Sequence, residues 1–179
     1  MNLPNKLTLL RVIMIPFFLF FLMTDFFAGS KYVALVIFVI ASLTDMLDGK
    51  IARKYNLVTN FGKFMDPLAD KLLVCSAMIA FIELGIMPSI IVIIIIAREF
   101  IISGFRLIAA EKNVVIAAGM AGKVKTTVQM IMCVLLIARF PFDFMRYVEL
   151  FFIYASLLLT IYSLIVYLVQ NKDILKDNK

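Results

Sequence analysis

The chain has 179 residues, 64% of them hydrophobic and 17% charged, with no histidine, two cysteines and a formal net charge of +6. A soluble domain carries about 25% charged residues, so this composition, with a mean hydropathy of +1.04, excludes an ordinary water-soluble enzyme and defines an integral membrane protein. The positive balance suits an anionic lipid surface, and nothing in the charge pattern points to nucleic acid.

A bilayer core takes roughly 20 apolar residues per spanning helix. Six such stretches follow one another, at residues 9–27, 32–52, 64–83, 87–108, 115–138 and 148–170. They predict an all-α, polytopic membrane protein: a six-transmembrane-helix bundle forming a single domain over residues 1–179, with short connections. No repeat of helix-bundle period, low-complexity tract or long linker interrupts it.

The first stretch is longer than the apolar core of a signal peptide, since Phe17 to Phe27 is broken only by Thr24 and Asp25, and no small-x-small cleavage site follows directly. It is expected to remain as a helix. Ahead of it, Asn5, Thr8 and Arg11 are three residues apart and line one side of a helix entering the bilayer. By themselves they read as a cap and an interfacial arginine.

The second and third stretches meet at "TDMLDGKIARKYNLVTNFGKFMDPLADK", residues 44–71, which places four aspartates at the ends of two lipid-compatible segments. A carboxylate at the centre of a spanning helix costs about 2.5–3.5 kcal/mol, so four of them require a compensating cation. Asp45 and Asp48 are three apart and Asp66 and Asp70 four apart, so each pair projects from one face of its helix. Two such pairs on neighbouring antiparallel helices form a four-carboxylate cluster of hard oxygen donors, which suits Mg²⁺ or Mn²⁺ over zinc or copper. Without histidine, a general base near neutral pH must be a carboxylate, lysine, tyrosine or cysteine, and a carboxylate of this cluster is the natural candidate. Gly49 and Gly62 remove side-chain bulk where a ligand could approach the backbone, and Arg53 follows with a fork suited to phosphate. Metals, arginine and close backbone approach together describe a diphosphate site. Pro67, between Asp66 and Asp70, marks either a first helical turn or a kink.

The fourth and fifth stretches gather Arg98, Arg106, Lys123 and Lys125 near their ends, with Glu99 and Glu111 as the nearby acids. Arg98 follows an unbroken apolar run from Ile90 to Ala97. Such a cluster reads either as a pocket for a phosphate or as lipid-facing cations snorkelling to headgroups. With the amino terminus cytoplasmic, fifteen of the eighteen cationic residues fall on the inner side and only Lys31, Arg139 and Arg146 outside, so both termini and the acidic stretch are expected to be cytoplasmic. Cys75 and Cys133 lie inside spans and are expected to be packed thiols. The phenylalanines and methionines read as lipid-facing and packing residues, and the tail "NKDILKDNK" as a solvated end.

Taken with its spacing, the acidic stretch is D-x-x-D-G-x-x-A-R, eight residues, then G-x-x-x-D-x-x-x-D, on Asp45, Asp48, Gly49, Ala52, Arg53, Gly62, Asp66 and Asp70. This resembles the signature of the CDP-alcohol phosphotransferases. The resemblance implies a CDP-linked donor held through its diphosphate by two divalent ions, attack by an acceptor hydroxyl, and release of CMP, in a polar cavity facing the cytoplasm. By motif position, Asp45, Asp48, Asp66 and Asp70 would hold Mg²⁺, with Mn²⁺ as the alternative. Asp70 would also be the general base, and Gly49, Ala52, Arg53 and Gly62 would line the CDP part of the site. Asn5, Thr8 and Arg11 would lie near the nucleotide.

Three further segments, "NLPNKLTLLR", "NLVTNFGKFMDPLADKLL" and "REFIISGFRLIAAEKNVVIAAGMAGKVKTTVQ", resemble the bacterial branch of that family that makes phosphatidylglycerophosphate. The donor would then be CDP-diacylglycerol and the acceptor glycerol 3-phosphate, bound by Arg98, Arg106, Lys123 and Lys125, in a homodimer surrounded by membrane lipids. Inositol phosphate, serine or phosphatidylglycerol are the competing acceptors. An intramembrane prenyltransferase would be expected to have more spans and a different aspartate spacing. A cation transporter has no need of Gly49, Arg53 and Gly62 at these positions, and a purely structural membrane protein has no reason to keep the acids.

Overall fold

The computed structural model describes the backbone of residues 3–24, 26–54, 60–111, 116 and 119–172, and the side chains of 5–24, 26–44, 68–69, 71–109, 116 and 119–172. Among the described residues six helices follow in chain order: α1 Leu3–Met23, α2 Ser30–Lys54, α3 Asn60–Glu83, α4 Ser89–Glu111, α5 Met120–Ala138 and α6 Asp143–Gln170. The all-α reading holds, and each expected apolar stretch lies on one helix with shifted ends.

The largest shift is at the start. Helix α1 begins at Leu3 rather than residue 9, because Asn5 and Thr8 share one buried face with Arg11, Ile15 and Phe18. That spacing is helical, so burial rather than hydropathy sets the beginning. The helix stops at Met23, and Thr24 closes its last turn on the Phe20 carbonyl, with its N–H at 3.0 Å and its hydroxyl at 2.6 Å. Ser30, first residue of α2, then accepts the Phe27 N–H at 3.1 Å. Pro67 lies within α3, beyond its first turn, which removes the first-turn reading. Helix α3 ends in a Schellman motif: the Ile86 N–H reaches the Phe81 carbonyl at 2.8 Å and the Gly85 N–H that of Ile82 at 3.0 Å. Gly85 takes the left-handed conformation this closure needs, with φ +67°.

Among the described residues three helices are both long and apolar enough to cross a bilayer, Asn5–Met23, Met120–Ala138 and Asp143–Gln170. Helix α4 carries Arg98, Glu99 and Arg106, and the described side chains of α2 include an apolar stretch, Ser30–Thr44.

The chain divides into two compact units, residues 1–86 with 133–140, and 87–132 with 141–179. In the first, α1 packs on α2 and α3, and α2 on α3. The rings of Phe18 and Phe38 meet at 5.5 Å between centroids. Fully buried Ala34, Ala41 and Ala77 let backbones approach closely, as small residues do between membrane helices.

In the second unit α4 packs on α6. Ile91, Ile95, Arg98, Ile102, Phe105 and Ala109 form the buried stripe of α4, and Ile153, Ser156, Thr160, Ser163 and Tyr167 that of α6. Phe105 and Tyr167 meet edge to face at 5.8 Å. Large apolar side chains such as Phe17, Ile93, Phe151 and Leu158 point outward instead, the arrangement of a surface that faces lipid rather than water. Cys75 and Cys133 are thiols, half-buried and buried respectively.

Candidate functional site

The acidic stretch occupies the end of α2 and the beginning of α3, two helices that pack within one unit. Asp45, Asp48, Gly49, Ala52 and Arg53 lie on α2, and Gly62, Asp66 and Asp70 on α3. The three- and four-residue spacings are therefore helical spacings, as the one-face reading requires. The side chains of all eight lie outside the described residues. Among the described residues no group of three or more His, Cys, Asp or Glu side chains could hold a metal ion. Carboxylate oxygen, the chemistry of the four aspartates, is a kind of donor that Mg²⁺ takes.

Helix α1 supplies a buried polar face in the same unit. Asn5, Thr8 and Arg11 are all at least nine-tenths buried, Arg11 completely. The Arg11 Nε donates to the main-chain carbonyl of Ala41 on α2 at 3.2 Å. Asn5 is already inside the first turn of α1, so the cap and the interfacial arginine are both corrected: these residues face protein, not headgroups. Ala41 is one helical turn before Asp45, so Arg11 brings a guanidinium to the level where the acidic stretch begins.

In the other unit the structure divides the four expected cations. Arg98 and Lys125 are buried, whereas Arg106 and Lys123 are exposed. Arg98 Nη1 donates to Glu99 Oε1 at 2.9 Å, and Lys125 Nζ donates to the same carboxylate oxygen. Arg98 Nη2 donates to Ser163 Oγ on α6 at 3.1 Å. Gly122 of α5 lies alongside, where an added methyl would sit 3.8 Å from Arg98 Nη2. Two buried cations gathered at one carboxylate are a chemistry that suits a phosphate.

Glu99 and Ser163 are the residues that the sequence reading missed as members of this group. Glu99 counted there only as a nearby acid. The signal for Ser163 was present: Ser156, Thr160, Ser163 and Tyr167 recur at helical spacing on a helix that is otherwise apolar.

A family model of the CDP-alcohol phosphatidyltransferases matches residues 1–162, and the chain belongs to that family. A protein of Bacillus subtilis (strain 168) named CDP-diacylglycerol--glycerol-3-phosphate 3-phosphatidyltransferase is 45% identical over 82% of this chain and 82% of its own. Proteins of the same name from Haemophilus influenzae and Salmonella typhimurium are each 40% identical, covering 99% and 98% of this chain and 97% and 98% of theirs.

Proposed function

We propose that this protein transfers the phosphatidyl group of CDP-diacylglycerol to glycerol 3-phosphate, giving phosphatidylglycerophosphate and CMP. Membership of the family supports the CDP-linked donor, and the likeness to three proteins of that printed name supports the acceptor. The observation that carries the acceptor is the meeting of two buried cations, Arg98 and Lys125, at one oxygen of Glu99. A phosphorylated acceptor suits this pair of cations; serine, which offers no net negative charge, does not call for them.

In this reading a hydroxyl oxygen of glycerol 3-phosphate attacks the phosphorus that bears diacylglycerol. A new phosphorus–oxygen bond forms, the bond to the bridging oxygen breaks, and CMP leaves with that oxygen. Asp70 takes the hydroxyl proton, since no histidine exists to do so. Arg98 and Lys125 hold the acceptor's own phosphate and so orient the attacking hydroxyl. Arg106 and Lys123, being exposed, guide the anion rather than grip it. Asn5, Thr8 and Arg11 with Gly49, Ala52, Arg53 and Gly62 bind the CDP moiety. Mg²⁺, held as two ions by Asp45, Asp48, Asp66 and Asp70, with Mn²⁺ as a substitute, would neutralise the diphosphate and the charge developing on it.

All six helices have the length to span, at 19–28 residues, and the cation distribution favours cytoplasmic termini and a cytoplasmic site. The family resemblance supports a homodimer in the cell membrane.

Protein purified in detergent tests the reading. CMP should appear from CDP-diacylglycerol only when both Mg²⁺ and glycerol 3-phosphate are present. CMP formed only with serine, inositol phosphate or phosphatidylglycerol would overturn the acceptor, and none with any alcohol would overturn the enzyme.

A further inference from the structure

We infer that Ser163, on α6, is a positioning residue that fixes the guanidinium of Arg98 for the acceptor's phosphate. The inference rests on the proposed role of Arg98. Ser163 is buried, and its hydroxyl has one proton to give. That proton goes to the Thr160 carbonyl at 3.1 Å, a bond to the preceding turn that fixes the side chain's rotamer. The oxygen's lone pairs are thereby left to receive Arg98 Nη2 at 3.1 Å.

Glu99 holds Nη1 at 2.9 Å, so the planar group is fastened at two corners, one by its own helix and one by α6. A planar group held at two corners has its orientation set, which is what bidentate recognition of phosphate demands. Nε, in a side chain nine-tenths buried, meets no hydrogen-bond partner among the described residues. Nε and the second Nη2 hydrogen are thus donors available to a phosphate. Ser163 never touches substrate; it decides where these donors point.

Steady-state kinetics on the full-length protein in detergent separates this from a packing role. Ser163→Ala should raise KM for glycerol 3-phosphate about tenfold, with kcat and KM for CDP-diacylglycerol within about twofold of the parent and an unchanged melting temperature. Ser163→Thr, which keeps a hydroxyl at the same position, should return the acceptor KM to within about threefold of the parent. In an Arg98→Lys background, Ser163→Ala should add little, because its partner has already changed.

An acceptor KM unmoved by Ser163→Ala overturns the inference. So does a loss shared by both substrates and the melting temperature that Ser163→Thr does not relieve. If Arg98→Lys alone leaves the acceptor KM unchanged, the role of Arg98 falls and this inference with it. If Arg98→Lys raises that KM and Ser163→Ala does not, only Ser163 is wrongly assigned.

Discussion

Arg11 Nε and the carbonyl of Ala41 are joined across 3.2 Å between α1 and α2, in a place where Arg11 has no exposed surface. The same carbonyl accepts the Thr44 hydroxyl at 2.7 Å, so a guanidinium and a hydroxyl converge one turn ahead of Asp45. The bond both clamps two helices and delivers positive charge to the beginning of the acidic stretch. Arg11→Lys keeps the charge but loses the fork. It should lower stability by about 1.5–3 kcal/mol, the range for hydrogen bonds to charged groups, and raise KM for CDP-diacylglycerol. Thermal unfolding in detergent and donor kinetics check the two effects separately; a parental result in both would deny Arg11 either role.

Asp70→Asn removes a proton acceptor while nearly keeping the side chain's shape. The variant should fold, bind Mg²⁺ more weakly and lose turnover by about 10²–10⁴-fold, the usual worth of a positioned base. The rate of CMP release at saturating Mg²⁺ is the measurement. Normal turnover would reassign the base to another carboxylate.

Arg106 is exposed and lies eight residues beyond Arg98 on α4, a rise of about 12 Å. Its contribution should be that of a screened surface charge. Arg106→Ala is expected to raise the acceptor KM about threefold, more than the donor KM, and the increase should shrink as salt is added. An acceptor KM that does not change would leave Arg106 as a lipid-facing cation only.

Arg139 follows α5 with φ +40°, in the left-handed region that costs a residue with a Cβ roughly 1 kcal/mol. Its carbonyl accepts Lys31 Nζ at 3.3 Å, an ammonium at the negative end of a helix. That acceptor is main chain and survives substitution. Arg139→Gly should therefore stabilise the protein by about 0.5–1 kcal/mol, seen as a higher melting temperature in detergent. A lower one would mean that the arginine side chain itself is needed.

What could be read from sequence depended on range. The apolar runs gave six helices because hydropathy is a local property, and the beginning of α1 was missed because Asn5 and Thr8 are polar yet buried with Ile15 and Phe18. The division of the cations was not legible. Arg98, Arg106, Lys123 and Lys125 carry the same charge and sit in similar surroundings along the chain, and only packing decides that two go inward. Glu99 looked like an acid diluting a basic cluster, whereas its single oxygen unites Arg98 of α4 with Lys125 of α5. The family motif was legible at every specified position, and the helices that carry it are where the spacing placed them.

The bond between Arg98 and Ser163 spans 65 residues of chain, which has a consequence for biogenesis. At ribosomal speed α6 emerges about 3–13 s after the arginine it must receive. Over that interval Arg98 has the carboxylate of its chain neighbour Glu99, to which Lys125 then comes as a second cation. Helices α1, α5 and α6 are long and apolar enough to cross a membrane, whereas α4 carries Arg98, Glu99 and Arg106. A nascent chain cut short before α6 would thus lack the hydroxyl of Ser163 that receives the Arg98 guanidinium.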